Sequence, residues 1–228
     1  MPGAFPHSDL DAARRYDRWF DRRWGRYAWR IESAAVLRAL GPVSGRRIVD
    51  VGCGTGRLGA LLAAQNADVI GIDVDAAMLA VAAPRLAGRL VRADAMALPL
   101  RDASVDAAVT VATLEFTTDP ARALAEMARI TRPGGRLVAA MLNPASLWGW
   151  TGRVRERSPY RAGRFLSRDA LLALGRRHGA AHVRGVLYAA EPLPLPGWCG
   201  PLTEAVGTAM LPWFGAVQLL SVRRTQAR

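Results

Sequence analysis

Residues 49–56 read Val49-Asp50-Val51-Gly52-Cys53-Gly54-Thr55-Gly56, and no other segment combines residue types so suited to holding a ligand. Glycines at alternate positions let a backbone bend tightly and approach a bound molecule closely. A run of small apolar residues suited to a helix follows at once, so free N–H groups and a positive dipole end would face the same molecule. Gly54, Gly56 and Gly59 also satisfy the bare spacing of a dinucleotide-binding loop. That reading sets the Asp50 carboxylate beside a pyrophosphate. It also needs a second mononucleotide half, for which 228 residues leave little room. A ligand that carries positive charge suits Asp50 better.

Two more acids follow in order. Asp73 ends Gly71-Ile72-Asp73 and could accept from both hydroxyls of a ribose, while Asp75 is the better cap for the helix after it. Asp94, in Arg92-Ala93-Asp94-Ala95, could accept from an adenine amino group or serve as an ordinary turn residue. Further on comes Ala112-Thr113-Leu114-Glu115-Phe116. Glu115 could act as a general base, orient a substrate, or sit as an acid at a helix start, where a carboxylate suits the dipole.

The elements that must position these residues alternate in type. Short β-branched runs predict strands at Arg47–Val51, Asp68–Asp73, Arg89–Ala93, Val105–Val111 and Arg136–Leu142, the last entered through the tight turn Arg132-Pro133-Gly134-Gly135. Helical patterns between them cover Gly56–Gln65, Asp75–Leu86 and Ala121–Ile130. Continuous apolar strands separated by helices imply right-handed βαβ units and a parallel sheet buried on both faces. Beyond Asn143, Ser167 caps a helix to His178, and strands are expected at Val183–Ala189 and Ala216–Val222. Ahead of the first strand, Ser8, Asp9 and Asp11 can cap a helix that carries Tyr16, Trp19, Phe20 and Trp24, and a second helix runs from Tyr27 to Leu40. Residues 1–42 are read as an N-terminal helical cap on a domain spanning 43–228.

Composition narrows the chemistry. All 31 basic residues are Arg, so a Lys Schiff base and an ordinary Walker A loop are both excluded. The net charge of +12 prompts a nucleic-acid hypothesis. Most of the Arg are scattered rather than clustered, so nucleic acid is not the expected partner. Cys53 and Cys199 lie far apart with no zinc spacing, and no metal site is expected. Residues 1–10 lack an apolar core, so no secretory leader is expected and the protein is read as cytoplasmic. The apolar stretch from Pro192 to Leu220 is broken by Pro and Gly, a poor membrane span.

Taken together, DVGCGTG, GIDVD with Met78-Leu79, ADA with Leu98-Pro99 and the Arg132–Gly135 turn resemble the class I S-adenosylmethionine (SAM)-dependent methyltransferases. More narrowly they resemble the group similar to ubiquinone/menaquinone biosynthesis enzymes, the type 11 methyltransferase domain. The resemblance runs from about Arg46 to Asn143. It implies a Rossmann-like α/β three-layer sandwich whose seven-stranded, mostly parallel sheet has a reversed last strand. It implies SAM across the carboxyl ends of the strands, with Gly52, Gly54 and Gly56 in its loop, Asp73 on the ribose, Val74, Asp94 and Ala95 at the adenine, and Met78 packed on that ring. Asp50, Cys53 and Ala112 complete the expected cofactor-binding set, and Tyr16 is expected to reach in from the first helix. Where many relatives carry a His pair, this chain has Thr113-Leu114-Glu115, so Glu115 is the one candidate catalytic residue. The sequence also lacks the Asn-Pro-Pro-Tyr that base-methylating relatives show there. The Trp-rich N-terminal segment and an apolar lid at about 190–214 suggest a small apolar or aromatic acceptor. An Arg-plus-Trp amphipathic helix also fits peripheral contact with an anionic membrane.

Overall fold

Val, Ile and Ala fill the runs that form the sheet, and their burial on both faces is what fixes the architecture. The structure, a computed structural model, describes residues 9–146, 148–149, 163–188 and 199–225. The Ser8 cap and the first part of the expected lid, 190–198, lie outside the described residues.

Two helices open the chain, α1 (Leu10–Trp19) and α2 (Arg23–Leu40). The alternating region then runs β1 (Arg47–Val51), α3 (Arg57–Ala63), β2 (Asp68–Asp73), α4 (Ala76–Ala82), β3 (Leu90–Arg92), β4 (Val105–Val111), a 3₁₀ turn (Leu114–Phe116), α5 (Pro120–Ile130) and β5 (Thr131–Leu142). It closes with α6 (Arg168–Arg176), β6 (Gly179–Val186), α7 (Cys199–Met210) and β7 (Val217–Arg224). The seven strands lie in the order β3-β2-β1-β4-β5-β7-β6. β1 through β5 are parallel, and β7 runs antiparallel to both of its neighbours. This is a Rossmann-like three-layer sandwich with a reversed last strand. The order turns around between β1 and β4, and in open α/β sheets ligands bind outside the carboxyl ends of the strands at such a point.

Both faces are covered. Val36 and Leu40 of α2 and Leu58 and Leu62 of α3 share one core with Ile48, Val109 and Val138. Leu124 and Met127 of α5 and Leu171 of α6 share the other with Val49, Ile72 and Ala108. α2 therefore forms part of one flanking layer. Its C-terminus is held where Arg136 Nη1 of β5 donates to the Ala39 carbonyl at 2.9 Å, a cation placed where the helix dipole wants one.

Several boundaries differ from the sequence reading for physical reasons. Tyr16, Trp19, Phe20 and Trp24 do not share a helix. The chain breaks at residues 20–22, and Trp24 belongs to α2, which starts at Arg23, four residues earlier than Tyr27. Edge-to-face packing of Phe20 on Trp19 and on Trp29 folds α1 back over α2. A Cβ at Gly25 would lie 2.0 Å from the Trp19 carbonyl oxygen, so only glycine permits that approach. The turn before β5 is absorbed into the strand as a bulge, with Thr131 opposite Val105 and Arg136 opposite Ala107. β6 begins at Gly179 rather than Val183. It is an edge strand with alternating burial, so it lacks the continuous apolar signal of the buried strands. His178 follows α6 at a turn, where burial and the charges of Arg177 and Arg224 push its pKa down. A charged imidazole at this helix end is thus disfavoured.

Candidate functional site

The acids and glycines singled out in the sequence gather at the carboxyl ends of β1, β2 and β4. Gly52, Gly54 and Gly56 all take positive φ, at 70°, 52° and 77°. Their loop is pinned from below where the Gly52 and Cys53 N–H groups donate to the Ile72 carbonyl at 2.7 and 2.9 Å. The two central glycines serve different needs. A Cβ on Gly52 would meet Thr113 Oγ1 at 2.2 Å, whereas a Cβ on Gly54 would meet nothing within 4 Å. Gly52 lets the loop after β4 come close, and Gly54 lines open space.

Asp73 joins this loop to the next strand. Its Oδ2 accepts from the Gly54 N–H at 2.8 Å and its Oδ1 from the Asp75 N–H at 2.9 Å. Asp75 caps α4 by accepting from Ala77 N–H. Burial nevertheless pushes the pKa of Asp73 up. Asp50 lies beneath the loop and is 2% exposed, and its Oδ2 has no hydrogen-bond partner. Burial first and the neighbouring Asp73 charge second raise its pKa to about 7. Cys53 is buried and its thiol is pushed far up by the same burial, which leaves it inert as a nucleophile. Around the rim, Val74 is exposed, Met78 is buried, and exposed Asp94 accepts from the Met96 N–H at 2.8 Å as a turn residue does. Ala95 is half-buried beside it, and Ala112, just after β4, has a φ of 51°.

Three further titratable groups are Glu115, Glu32 and Tyr16. Glu115 is not a helix-start acid, since Asp119 takes that position on α5 by accepting from Arg122 N–H. It sits instead in the 3₁₀ turn, 1% exposed, with Oε1 accepting from Leu142 N–H at 3.3 Å and Oε2 without a partner. Burial pushes its pKa to about 7. Glu32 of α2 is likewise raised to about 7, by burial and by the charge of Glu115. Tyr16 of α1 is half-buried, and its phenol is pushed well above its usual range by burial and by Glu32, Glu115 and Asp73. α1 is held over the loop by the next residue. Asp17 accepts from Thr55 Oγ1 at 2.8 Å, Arg57 Nε at 2.7 Å and Arg85 Nη2 at 2.9 Å.

Sequence reasoning missed Glu32, Asp17, Arg57 and Arg85. A signal for Glu32 was present. It is the lone acid of α2 and falls on the stripe that holds Ala28, Ala35 and Val36. Nothing in the sequence marked the Asp17 latch.

Residues 49–139 match the family model of a methyltransferase domain. Over 114 residues the chain is 42% identical to a demethylmenaquinone methyltransferase from Clavibacter sepedonicus, a match covering 48% of this chain and 45% of that protein. The chain spans about half the length of the curated relatives it matches. Across nearly its whole length it superposes on a solved SAM-dependent methyltransferase of Thermotoga maritima, described as a possible histamine N-methyltransferase. The TM-score there is 0.75 at 27% identity, covering 96% of this chain and 99% of that one. The same fold recurs, at 16% identity and a TM-score of 0.68, in a phosphoethanolamine N-methyltransferase from Haemonchus contortus in complex with SAM, over 96% of this chain and 58% of that one. Residues 49–139 thus match a methyltransferase domain, within a chain that shares its fold with solved SAM-dependent methyltransferases.

The residues gathered here fit SAM as a donor. The unpartnered Asp50 oxygen answers a cation. Asp73 accepts from the Gly54 and Asp75 N–H groups, and a carboxylate has lone pairs beyond these for a hydroxyl. The space above Gly54 is open. One surface depression lies elsewhere, between Gly45, Asn66, Asp68 and Arg89 at the amino ends of β1 and β2. It touches none of these groups.

Proposed function

We propose that this chain transfers a methyl group from SAM to a small acceptor with an apolar or aromatic body. The observation that carries the reading is the contact between Asp73 and Gly54, which makes the glycine loop and the ribose acid one cradle beside Asp50, whose Oδ2 has no hydrogen-bond partner. In this reading Gly52, Gly54 and Gly56 admit the donor, Asp73 takes its ribose, Asp50 faces its positive charge, and Val74, Met78, Asp94 and Ala95 border the adenine. Cys53 and Ala112 complete the wall.

SAM supplies a methyl carbon already activated by a sulfonium, so the protein has chiefly to align the acceptor and keep water out. α1 does both in this proposal. Latched through Asp17 to Arg57 and Arg85, it brings Tyr16 over the cradle, and Phe20 and Trp29 supply apolar rings beside it. A division into residues 1–42 as a cap and 43–228 as the transferase body belongs to the same reading.

The acceptor, we propose, is met at an anionic lipid surface. Among the described residues no helix is long and apolar enough to cross a membrane. α7 and the turn after it nonetheless expose Leu202, Val206, Met210, Trp213 and Phe214. Glu204 of α7 is paired with Tyr27 of α2 at 3.1 Å, and α2 presents exposed Arg23, Arg26 and Arg30 alongside. Apolar side chains flanked by Arg fit an interfacial helix.

The test is a calorimetric titration of the intact chain with SAM, followed by an acceptor screen read by mass spectrometry. Saturable one-to-one binding and a gain of one methyl group on a small acceptor would support the reading. A folded protein that gives no heat with SAM would sink it.

A further inference from the structure

Water reaches the two sides of the cradle unequally. At its rim Val74 and Asp94 stand exposed, whereas Asp50 and Thr55 are 2% and 3% exposed. α1 covers the inner side. It packs against α4, and its Asp17 meets Thr55, which stands between Gly54 and Gly56. Of the ten residues of α1, Ala12 and Ala13 alone are buried, and such small side chains contribute little by leaving water. Arg14, Arg15 and Arg18 face solvent. α2, by contrast, buries Ala28, Ala35, Val36 and Leu40. A helix as short as α1 is marginal without tertiary support, and much of that support meets on one residue. The Asp17 carboxylate accepts from Thr55 Oγ1, Arg57 Nε and both Arg85 terminal nitrogens, and its carbonyl accepts from Arg57 Nη2 at 2.9 Å. All three charged side chains keep part of their surface in water. Parting them there rehydrates the charges, without the penalty that holds a fully buried pair shut. The other end of α1 is fixed to α2, where Phe20 packs on Trp29 and the Trp19 carbonyl abuts Gly25.

We propose that α1 is a gate on donor exchange, with Asp17 as its latch and the break at residues 20–22 as its hinge. The proposal rests on the methyl-donor reading above and adds how that site is regulated. The gate opens when Asp17 parts from Thr55, Arg57 and Arg85 and α1 swings about Phe20. It opens once for SAM to reach Asp50 and again for the spent donor to leave. The glycine loop does not move with it, because the Gly52 and Cys53 N–H groups stay on the Ile72 carbonyl and the Gly54 N–H stays on Asp73. A gate differs in its kinetics from a side chain that merely touches the donor. A contact made only to the bound donor slows release and leaves entry as it was. A gate that is shut in the empty protein slows entry and release together. The latch joins α1 to the protein and not to the donor, so it acts in the second way.

The experiment uses the intact chain with S-adenosylhomocysteine as probe, and stopped-flow tryptophan fluorescence to read both rates. Asp17→Asn is expected to raise the association rate about threefold and the dissociation rate about thirtyfold, a net tenfold loss of affinity. Arg85→Gln should move both rates in the same direction. Arg89→Gln removes a nearby charge whose partner is Asp68 rather than Asp17, and it should change neither rate by more than about twofold. Circular dichroism reports that each variant is folded. Hydrogen exchange on the parent supplies a measure that needs no variant. Amides of residues 10–19 should exchange faster than those of α2 in the empty protein, and S-adenosylhomocysteine should slow them by about tenfold or more. Association no faster in the folded Asp17 and Arg85 variants, or exchange in α1 that S-adenosylhomocysteine leaves unchanged, would overturn the gate and leave the donor reading standing. Failure of S-adenosylhomocysteine to bind the folded parent would overturn both.

Discussion

Arg85 reaches back across 68 residues of chain to hold Asp17 at two points, Nη2 to Oδ2 at 2.9 Å and Nη1 to Oδ1 at 3.0 Å. The contact fastens α1 to the segment just after α4. Arg57, in the first turn after the glycine loop, takes the same carboxylate at 2.7 Å. Burial opposes the charge on Asp17, but hydrogen bonds from Arg85, Arg57 and Thr55 outweigh it and lower the pKa to about 2 from 3.8.

Asp17→Asn keeps the shape and removes the charge that two arginines share. The lid should loosen while Asp73 and the glycine loop stay as they are. We expect SAM to bind about tenfold more weakly, or roughly 1.4 kcal/mol, measured by calorimetry at neutral pH. Because the folded pKa is depressed, the contribution of the latch is fully present above the ordinary value and is lost as pH falls through about 4 toward 2. The parent should therefore lose stability over that acid window more steeply than the variant does. Coincident curves would argue against the latch.

Gly52 and Gly54 share a left-handed backbone but not an environment, and alanine at each should fail differently. Gly52→Ala puts a methyl group into Thr113, so the protein itself should be destabilised, by about 2 kcal/mol or more from overpacking and backbone strain together. Gly54→Ala meets no protein atom and carries only the backbone cost of about 1–2 kcal/mol. It should fold and yet bind SAM at least tenfold more weakly, since its methyl group occupies the space the donor needs. Thermal melts and SAM titrations on both variants separate the two effects. A Gly54→Ala protein with parental affinity would move the donor away from this loop.

Much of this was legible because buried parallel strands write a plain signal. β1, β2 and β4 have the bounds that their apolar runs suggested, and the glycine loop, Asp73 and Asp50 stand where an ordered set of motifs placed them. What escaped were contacts made by side chains distant in sequence. Glu32 looks like any surface acid until α2 is seen to turn that face inward. Asp17 gains its role only when Arg57 and Arg85 arrive from elsewhere in the chain. The break between α1 and α2 had one marker, Gly25, whose need for close approach depends on packing that no local pattern describes.

Asp50, Glu32 and Glu115 all have raised pKa values, near 7, in the absence of a ligand. Asp50 is faced by Asp73 and by the Gly59 N–H, Glu32 by Glu115, and Glu115 by the Leu142 N–H. For an acid whose folded pKa is raised, stability is fully present below the unfolded value and is lost as pH rises through the folded value. The unliganded protein should therefore melt at a higher temperature at pH 5.5 than at pH 8, and Glu115→Gln should flatten the difference. A bound cation favours the ionised forms. SAM binding near pH 6.5 should release protons, seen as a dependence of the binding heat on the ionisation enthalpy of the buffer. Proton uptake instead would mean that the positive charge of the donor lies away from Asp50.

The exposed face of α7 gives the lipid-surface proposal its sharpest consequence. Met210, Trp213 and Phe214 are each more than half exposed, and the one acid of the helix, Glu204, is occupied by Tyr27 and by the Tyr188 N–H. Each Arg near an anionic surface is worth about 1 kcal/mol, and the apolar side chains add to this by leaving water. The protein should cosediment with phosphatidylserine-containing vesicles and much less with phosphatidylcholine alone. Replacing Met210, Trp213 and Phe214 together by Ser should weaken that binding by about tenfold or more while SAM affinity holds. Raising salt should weaken the parent as well, because the arginine contribution is screened. Equal partition of parent and triple variant onto anionic vesicles would assign the binding to charge alone and remove α7 from the docking surface.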